Sequence, residues 1–300
     1  MILTIDNIKE YLPLNSITDG SKYEPFEIRA FFKYLPKYLG EEVVEQLYEG
    51  LLLVSDGGSD VVIYPESEIY ESLLLKLKPV LANLTILESI PQFNLVATGS
   101  GFGIVSNPNQ APASMERVRD LKDSCLQAAN DGLDRLLYYL EQNVATYSSW
   151  NKSCINTGSL IPSASVFDQF IDISCSRRRF VDLKRHINFE ELTTFTNVFS
   201  AEFLTELRDG NDIAVKPLIQ QALALKAEIH FQASVDPVGD HSFLLNKYLT
   251  ALSVALSYLR NNLDTYTTYA DNAYEAPFDN ATATDDDGDA YGFFIGGITG

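Results

Sequence analysis

Apolar positions recur along this chain at helical spacing, and three stretches of that pattern occur twice in the same order. The clearest follows Ser114. Met115, Val118, Leu121, Cys125, Ala129, Leu133, Leu136 and Leu140 fall three or four residues apart, one apolar stripe on one helix. Ser114 supplies an N-cap, and Glu116 suits the positive end of the helix dipole. At 1.5 Å per residue the helix is roughly 40 Å long and needs a partner along its length. Leu245, Leu249, Leu252, Leu256, Leu259 and Leu263 make a second stripe, and the two stripes are expected to meet.

The repetition is wider than these helices. Residues 38–50 (YLGEEVVEQLYEG) align with 198–210 (VFSAEFLTELRDG). Leu77-Lys78-Pro79 and the apolar run after it align with Val215-Lys216-Pro217 and its run. Residues 136–143 (LLYYLEQN) align with 255–262 (ALSYLRNN). The copies are spaced more widely in the first half, which therefore carries extra loops. Repetition of this kind describes a scaffold rather than an active site.

The remaining segments fill in around it. Residues 26–49 read as helix, broken around Pro36 and Gly40 and closed by Gly50 as a C-cap. Residues 55–60 read as a turn, and 66–89 as helix with Pro79 a kink or break. Two apolar segments, 93–98 and 102–106, flank Gly99-Ser100-Gly101 and read as a β-hairpin. Residues 163–174 read as a strand, 226–234 as an exposed-face strand or a helix end, and 236–240 as a turn into the last long helix. The fold expected is mainly α with minor β-hairpins. It comprises a first helical unit (1–146) with the hairpin inserted at 91–108, a Ser/Asn/Gly-rich linker (147–165), a second helical unit (166–270), and a flexible acidic tail (271–300) with an apolar tip.

Composition narrows the function classes. The net charge of −19 disfavours a general nucleic-acid surface. Seven acids and no Lys or Arg lie between Asp271 and Asp289. The N-terminus lacks the pattern of a secretory signal, and no apolar run approaches the ~20 residues of a membrane span. Cys125, Cys154 and Cys175 are odd in number and widely spaced, against a disulfide framework or zinc and in keeping with a reducing compartment. Cys125, on the apolar stripe, reads as a buried structural thiol.

Little points to catalysis. GSGFG (99–103) opens an apolar strand rather than a helix, so it lacks the geometry of a phosphate-binding loop. Asp285-Asp286-Asp287-Gly288-Asp289 resembles a calcium loop, but Ala283 and Phe294 occupy ligand positions, leaving only weak cation binding. The glycosylation patterns at Asn83 and Asn151 carry no weight without a secretion signal. His186, His230 and His241 show no metal-binding spacing, and a dispersed carboxylate pair for hydrolysis would leave no local signature. No cofactor or metal motif is recognised, and no catalytic residue is assigned. Two features bear on partners. Arg177, Arg178 and Arg179, with Lys184 and Arg185, are either solvated and paired within the chain or a contact for an acidic neighbour. Tyr291, Phe293, Phe294 and Ile295 are either an inert terminus or an arm that docks on a neighbour.

Four motifs carry a resemblance: GFGIVSNPNQAPASMERVRDL (101–121), LDRLLYYLEQN (133–143), Trp150 with Asn151, and SCSRRRFVDL (174–183). In these the chain resembles an uncharacterised protein family encoded near the capsid genes of phages and prophages of the Bacteroides group. That resemblance covers most of the chain up to the tail and implies a non-enzymatic virion protein, a head–tail connector or neck ring subunit. It implies self-association, portal or tail components as neighbours, DNA only in passing through a channel, no membrane, and a location in the virion and in the bacterial cytoplasm during assembly. An adaptor that binds a partner by its tail is a second expectation, and a carboxylate-dependent hydrolase a third.

Overall fold

Gly40 and Ser200 are aligned in the repeat, and at both the chain takes the same unusual backbone turn, φ 89°, ψ 151° and φ 65°, ψ 154°. The computed structural model describes residues 3, 5–11, 20–55, 67–93, 95–98, 101–104, 114–210 and 214–271. The loop at 56–60, the hairpin residues Gly99 and Ser100, the calcium-like run and the tail beyond Asp271 lie outside the described residues.

The described chain is mainly helical and divides into two compact units, residues 1–156 with 176–181, and residues 157–175 with 182–300. In unit 1, α1 (Ile5–Tyr11) precedes α2 (Glu24–Tyr34), α3 (Pro36–Leu39) and α4 (Glu41–Ser55). A long α5 (Ser67–Phe93) then leads to β1 (Leu95–Thr98) and β2 (Gly101–Ile104), which pair antiparallel, and to α6 (Met115–Gln142). In unit 2, α7 (Ala164–Phe167) is followed by α8 (Arg177–Glu190), whose first residues belong to unit 1. A π-helical turn (Glu191–Phe195), α9 (Thr196–Phe199), α10 (Ala201–Asp209), α11 (Val215–Val235), α12 (Ser242–Arg260) and α13 (Thr267–Asp271) complete it.

Each apolar stripe finds its partner inside its own unit: α6 packs on α5, and α12 on α11. At the α5–α6 crossing a Cβ on Gly132 would sit 2.7 Å from Val80 Cγ2, so glycine is what allows the approach. The stripe on α6 does not run from its first residue. Ser114 accepts the Arg117 N–H as an N-cap, but Met115 is 91% exposed and full burial begins at Cys125.

The repeat is matched in burial as well as in sequence. From Tyr38 to Leu47 and from Val198 to Leu207 the same positions are buried: Tyr38, Leu39, Val43, Val44 and Leu47 in one, Val198, Phe199, Phe203, Leu204 and Leu207 in the other. Pro217 lies in the first turn of α11, where its missing N–H is not needed, whereas α5 extends back past Pro79 to Ser67. After the long helices, Asn143 Nδ2 donates to the Tyr139 carbonyl at 2.7 Å, and Asn262 Nδ2 donates to the Tyr258 carbonyl at 2.7 Å. Both turns then bring an aromatic side chain back to the kinked helix. Trp150 donates from Nε1 to the Tyr38 carbonyl, and Tyr269 packs its ring on Phe199 and Phe203.

Several expectations need correcting. The boundary between the units, at Asn156 and Thr157, falls within residues 147–165, but this stretch is packed: Tyr147, Trp150, Cys154, Leu160, Ile161 and Ala164 are buried. Their serines and asparagines satisfy backbone groups, as when Ser153 donates to the Tyr38 carbonyl and its own N–H to Asn151. Residues 163–174 form α7 and a tight turn rather than a strand. Asp168 accepts the N–H groups of Ile173 and Cys175, and these bonds hold its carboxyl below the usual range. Residues 226–234 are the end of α11, and α4 runs through Gly50 instead of stopping there.

Candidate functional site

The repeat extends upstream of its recognisable sequence. Positions 25–37 and 185–197 align without a gap, and burial agrees at all but one position, Ile28 being exposed and Asn188 half-buried. Residue types at the buried positions do not agree. Phe26, Ala30 and Phe31 in unit 1 correspond to His186, Glu190 and Glu191 in unit 2, all buried. Continuing the other two alignments, Ile90 corresponds to Glu228 and Ala129 to Tyr248, again all buried. At these positions unit 1 is apolar and unit 2 polar, while Glu27, Thr85 and Ser89 reverse the exchange against Ile187, Leu223 and Ala227.

Glu190 is the centre of the polar layer in unit 2. Its Oε1 lies 3.0 Å from His230 Nδ1, outside hydrogen-bond geometry, and its Oε2 accepts the Thr194 hydroxyl at 2.6 Å. Burial first, and the Glu190 charge second, push the Tyr248 hydroxyl up to about 12, so it stays protonated. The rings of His186 and His230 meet edge to face at 4.7 Å, with Phe231 and Phe189 packed beside them. Arg185 Nε donates to His186 Nε2 at 2.9 Å, which assigns that nitrogen as the unprotonated acceptor. Burial, then the charges of His230 and Arg185, bring His186 down to about 4 against the opposing pull of Asp182. Glu228, also buried, accepts from Gln232, and Lys226 covers the Tyr248 ring. His186 is thus held neutral beside a carboxylate–imidazole pair.

Glu191 has a different task. It accepts from the Ser159 hydroxyl, the Leu160 N–H and Arg208, while Gln220 donates to the Leu160 carbonyl. These bonds pin the 159–161 segment to the core. The π-helical turn beginning at Glu191 closes with the Thr196 N–H on the Glu191 carbonyl; unit 1 has Pro36 there, with no N–H to give.

The residues singled out for partner contact are placed as follows. Arg177 pairs with Glu141 and lies over the Tyr138 ring. The Arg178 N–H bonds Asp134, and its buried Nε has no hydrogen-bond partner. The Arg179 N–H bonds Ser176, Lys184 is half-buried, and Arg185 turns to His186. Tyr291, Phe293, Phe294 and Ile295 lie outside the described residues. Among the described residues no group of three His, Cys, Asp or Glu side chains is arranged to hold a metal ion, and no helix is long and apolar enough to cross a membrane. His186 and His230 come together from α8 and α11, which no local motif could reveal. The upstream alignment, with Ala30 facing Glu190, was the signal available.

Residues 35–159 match a family of unknown function, DUF6712. The match starts at the kink of unit 1 and ends past Trp150, so it spans most of one copy of the repeat. No curated protein and no solved structure matches the chain.

Proposed function

We propose that this protein is a non-enzymatic structural subunit of a phage or prophage virion, a head–tail connector or neck component that assembles with copies of itself and with portal or tail proteins. The observation that carries this reading is the tandem of two helical units on one plan, a scaffold built by repetition around packing. The motif resemblance between residues 101 and 183 supports the virion setting. Unit 2 also offers contact area, since Val235, Val238 and Phe243 around the α11–α12 turn are 68%, 95% and 67% exposed. The acidic tail with Tyr291, Phe293, Phe294 and Ile295 serves as the arm that reaches a neighbouring subunit, and the 177–185 basic cluster as a secondary contact. Solution mass by light scattering, on the full chain and on a truncation after Tyr269, tests the reading. A defined oligomer that weakens on truncation supports it. A monomer in both forms that also fails to bind a portal-type ring contradicts it.

A further inference from the structure

All three histidines of the chain, at 186, 230 and 241, fall in unit 2, and two of them meet in its polar layer. We propose that this layer is a proton-operated switch: charging His186 loosens unit 2 around α8 and α11, while unit 1, on the same plan without a histidine, does not respond. This inference is independent of the assembly reading.

The geometry separates a tolerated proton from a disruptive one. A proton on His230 finds Glu190 Oε1 3.0 Å from Nδ1, and this side chain is 37% exposed to water. A proton on His186 finds no such outlet. Its Nε2 is the acceptor for Arg185 Nε, so protonating it replaces an accepted hydrogen bond with two donors facing each other. The ionisable groups around the pair are Asp182, Arg185 and Glu190 on α8, Lys226 and Glu228 on α11, and Tyr248 on α12. Of these acids, Asp182 is the one whose charge favours His186 protonation, and it is outweighed by burial and by the cations. The sign follows. With His186 held at about 4 in the folded state, unfolded unit 2 binds the extra proton more readily, so stability is full above about 6.5 and falls as pH drops towards 4.

The layer also touches the surface. Phe189, whose ring packs on His230, is 51% exposed, and Leu192 in the π-helical turn is 71% exposed. Loosening the layer therefore alters an apolar face as well as the core.

Hydrogen exchange read by mass spectrometry on the intact chain, corrected for the intrinsic pH dependence of exchange, tests the switch. Between pH 6.5 and 4.5, α11 should lose protection by about tenfold or more relative to α5 and α6. His186→Phe, which installs the residue unit 1 uses at Phe26, should abolish that differential loss. His230→Gln, which removes one of the influences that hold His186 down while keeping a polar side chain, should shrink the loss, and it decides the matter if His186→Phe does not fold. Equal loss in both units, or an unchanged acid response in either variant, would overturn the proposal.

Discussion

Unit 1 and unit 2 solve the same packing problem with different chemistry. In unit 1 α2 packs on α5, with Phe26, Ala30, Phe31 and Ile90 buried, and the polar link sits at the edge. There Lys33 and Tyr34 both bond Glu88 Oε1, at 2.6 and 2.7 Å. Burial opposes the Glu88 charge, but these two partners outweigh it and hold its carboxyl below the usual range. In unit 2 the link has moved inward to Glu190, Thr194 and His230. The scaffold tolerates the exchange because the backbone turns, the aromatic return and the α5–α6 or α11–α12 pairing carry the fold in both copies. What differs between the copies is thus not what defines the shared plan, and that is the reason to look there for regulation.

The comparison can be broken at the features the copies share. Trp150→Ala removes a buried indole and its hydrogen bond to the Tyr38 carbonyl, and should cost ~3–5 kcal/mol in thermal or denaturant unfolding. A cost as small as that of a surface substitution would mean that the aromatic return does not anchor unit 1. Gly40→Ala should lose ~1–3 kcal/mol, because a side chain must adopt φ 89° and its Cβ would stand 3.3 Å from Asn151. Ser200 already sits in that strained conformation, so Ser200→Gly should gain up to ~1 kcal/mol despite losing its cap to the Phe203 N–H. Opposite signs at aligned positions sharpen the equivalence, and equal signs break it. The smallest effect is a matched pair. Asn143→Ala and Asn262→Ala should each cost ~1 kcal/mol, since each removes one 2.7 Å bond to a carbonyl one turn back.

Much of this plan was legible in the sequence. The aligned blocks mark the kink, the proline helices and the ends of the long helices, because apolar spacing reports burial directly. Residues 147–165 misled because serine, asparagine and glycine usually mark exposed loops, and composition does not tell whether those side chains bond water or buried backbone. The alignment of Thr146-Tyr147 and Trp150 with Thr265-Tyr266 and Tyr269 extended past the block read as repeated. The polar layer was hidden for a different reason. Conserved burial with altered polarity looks like no resemblance at all, and a histidine on α8 gives no hint of one on α11. The partners of the basic cluster were hidden for the same reason, since Glu141 and Asp134 on α6 stand far along the chain from Arg177 and Arg178.

The most direct measurement is a histidine ring titration by NMR on the intact chain, with His186→Phe assigning the resonance. One of the three histidines, the one absent from the variant, should stay neutral until about pH 4. All three titrating together near the ordinary value of about 6.5 would contradict a buried polar layer in unit 2.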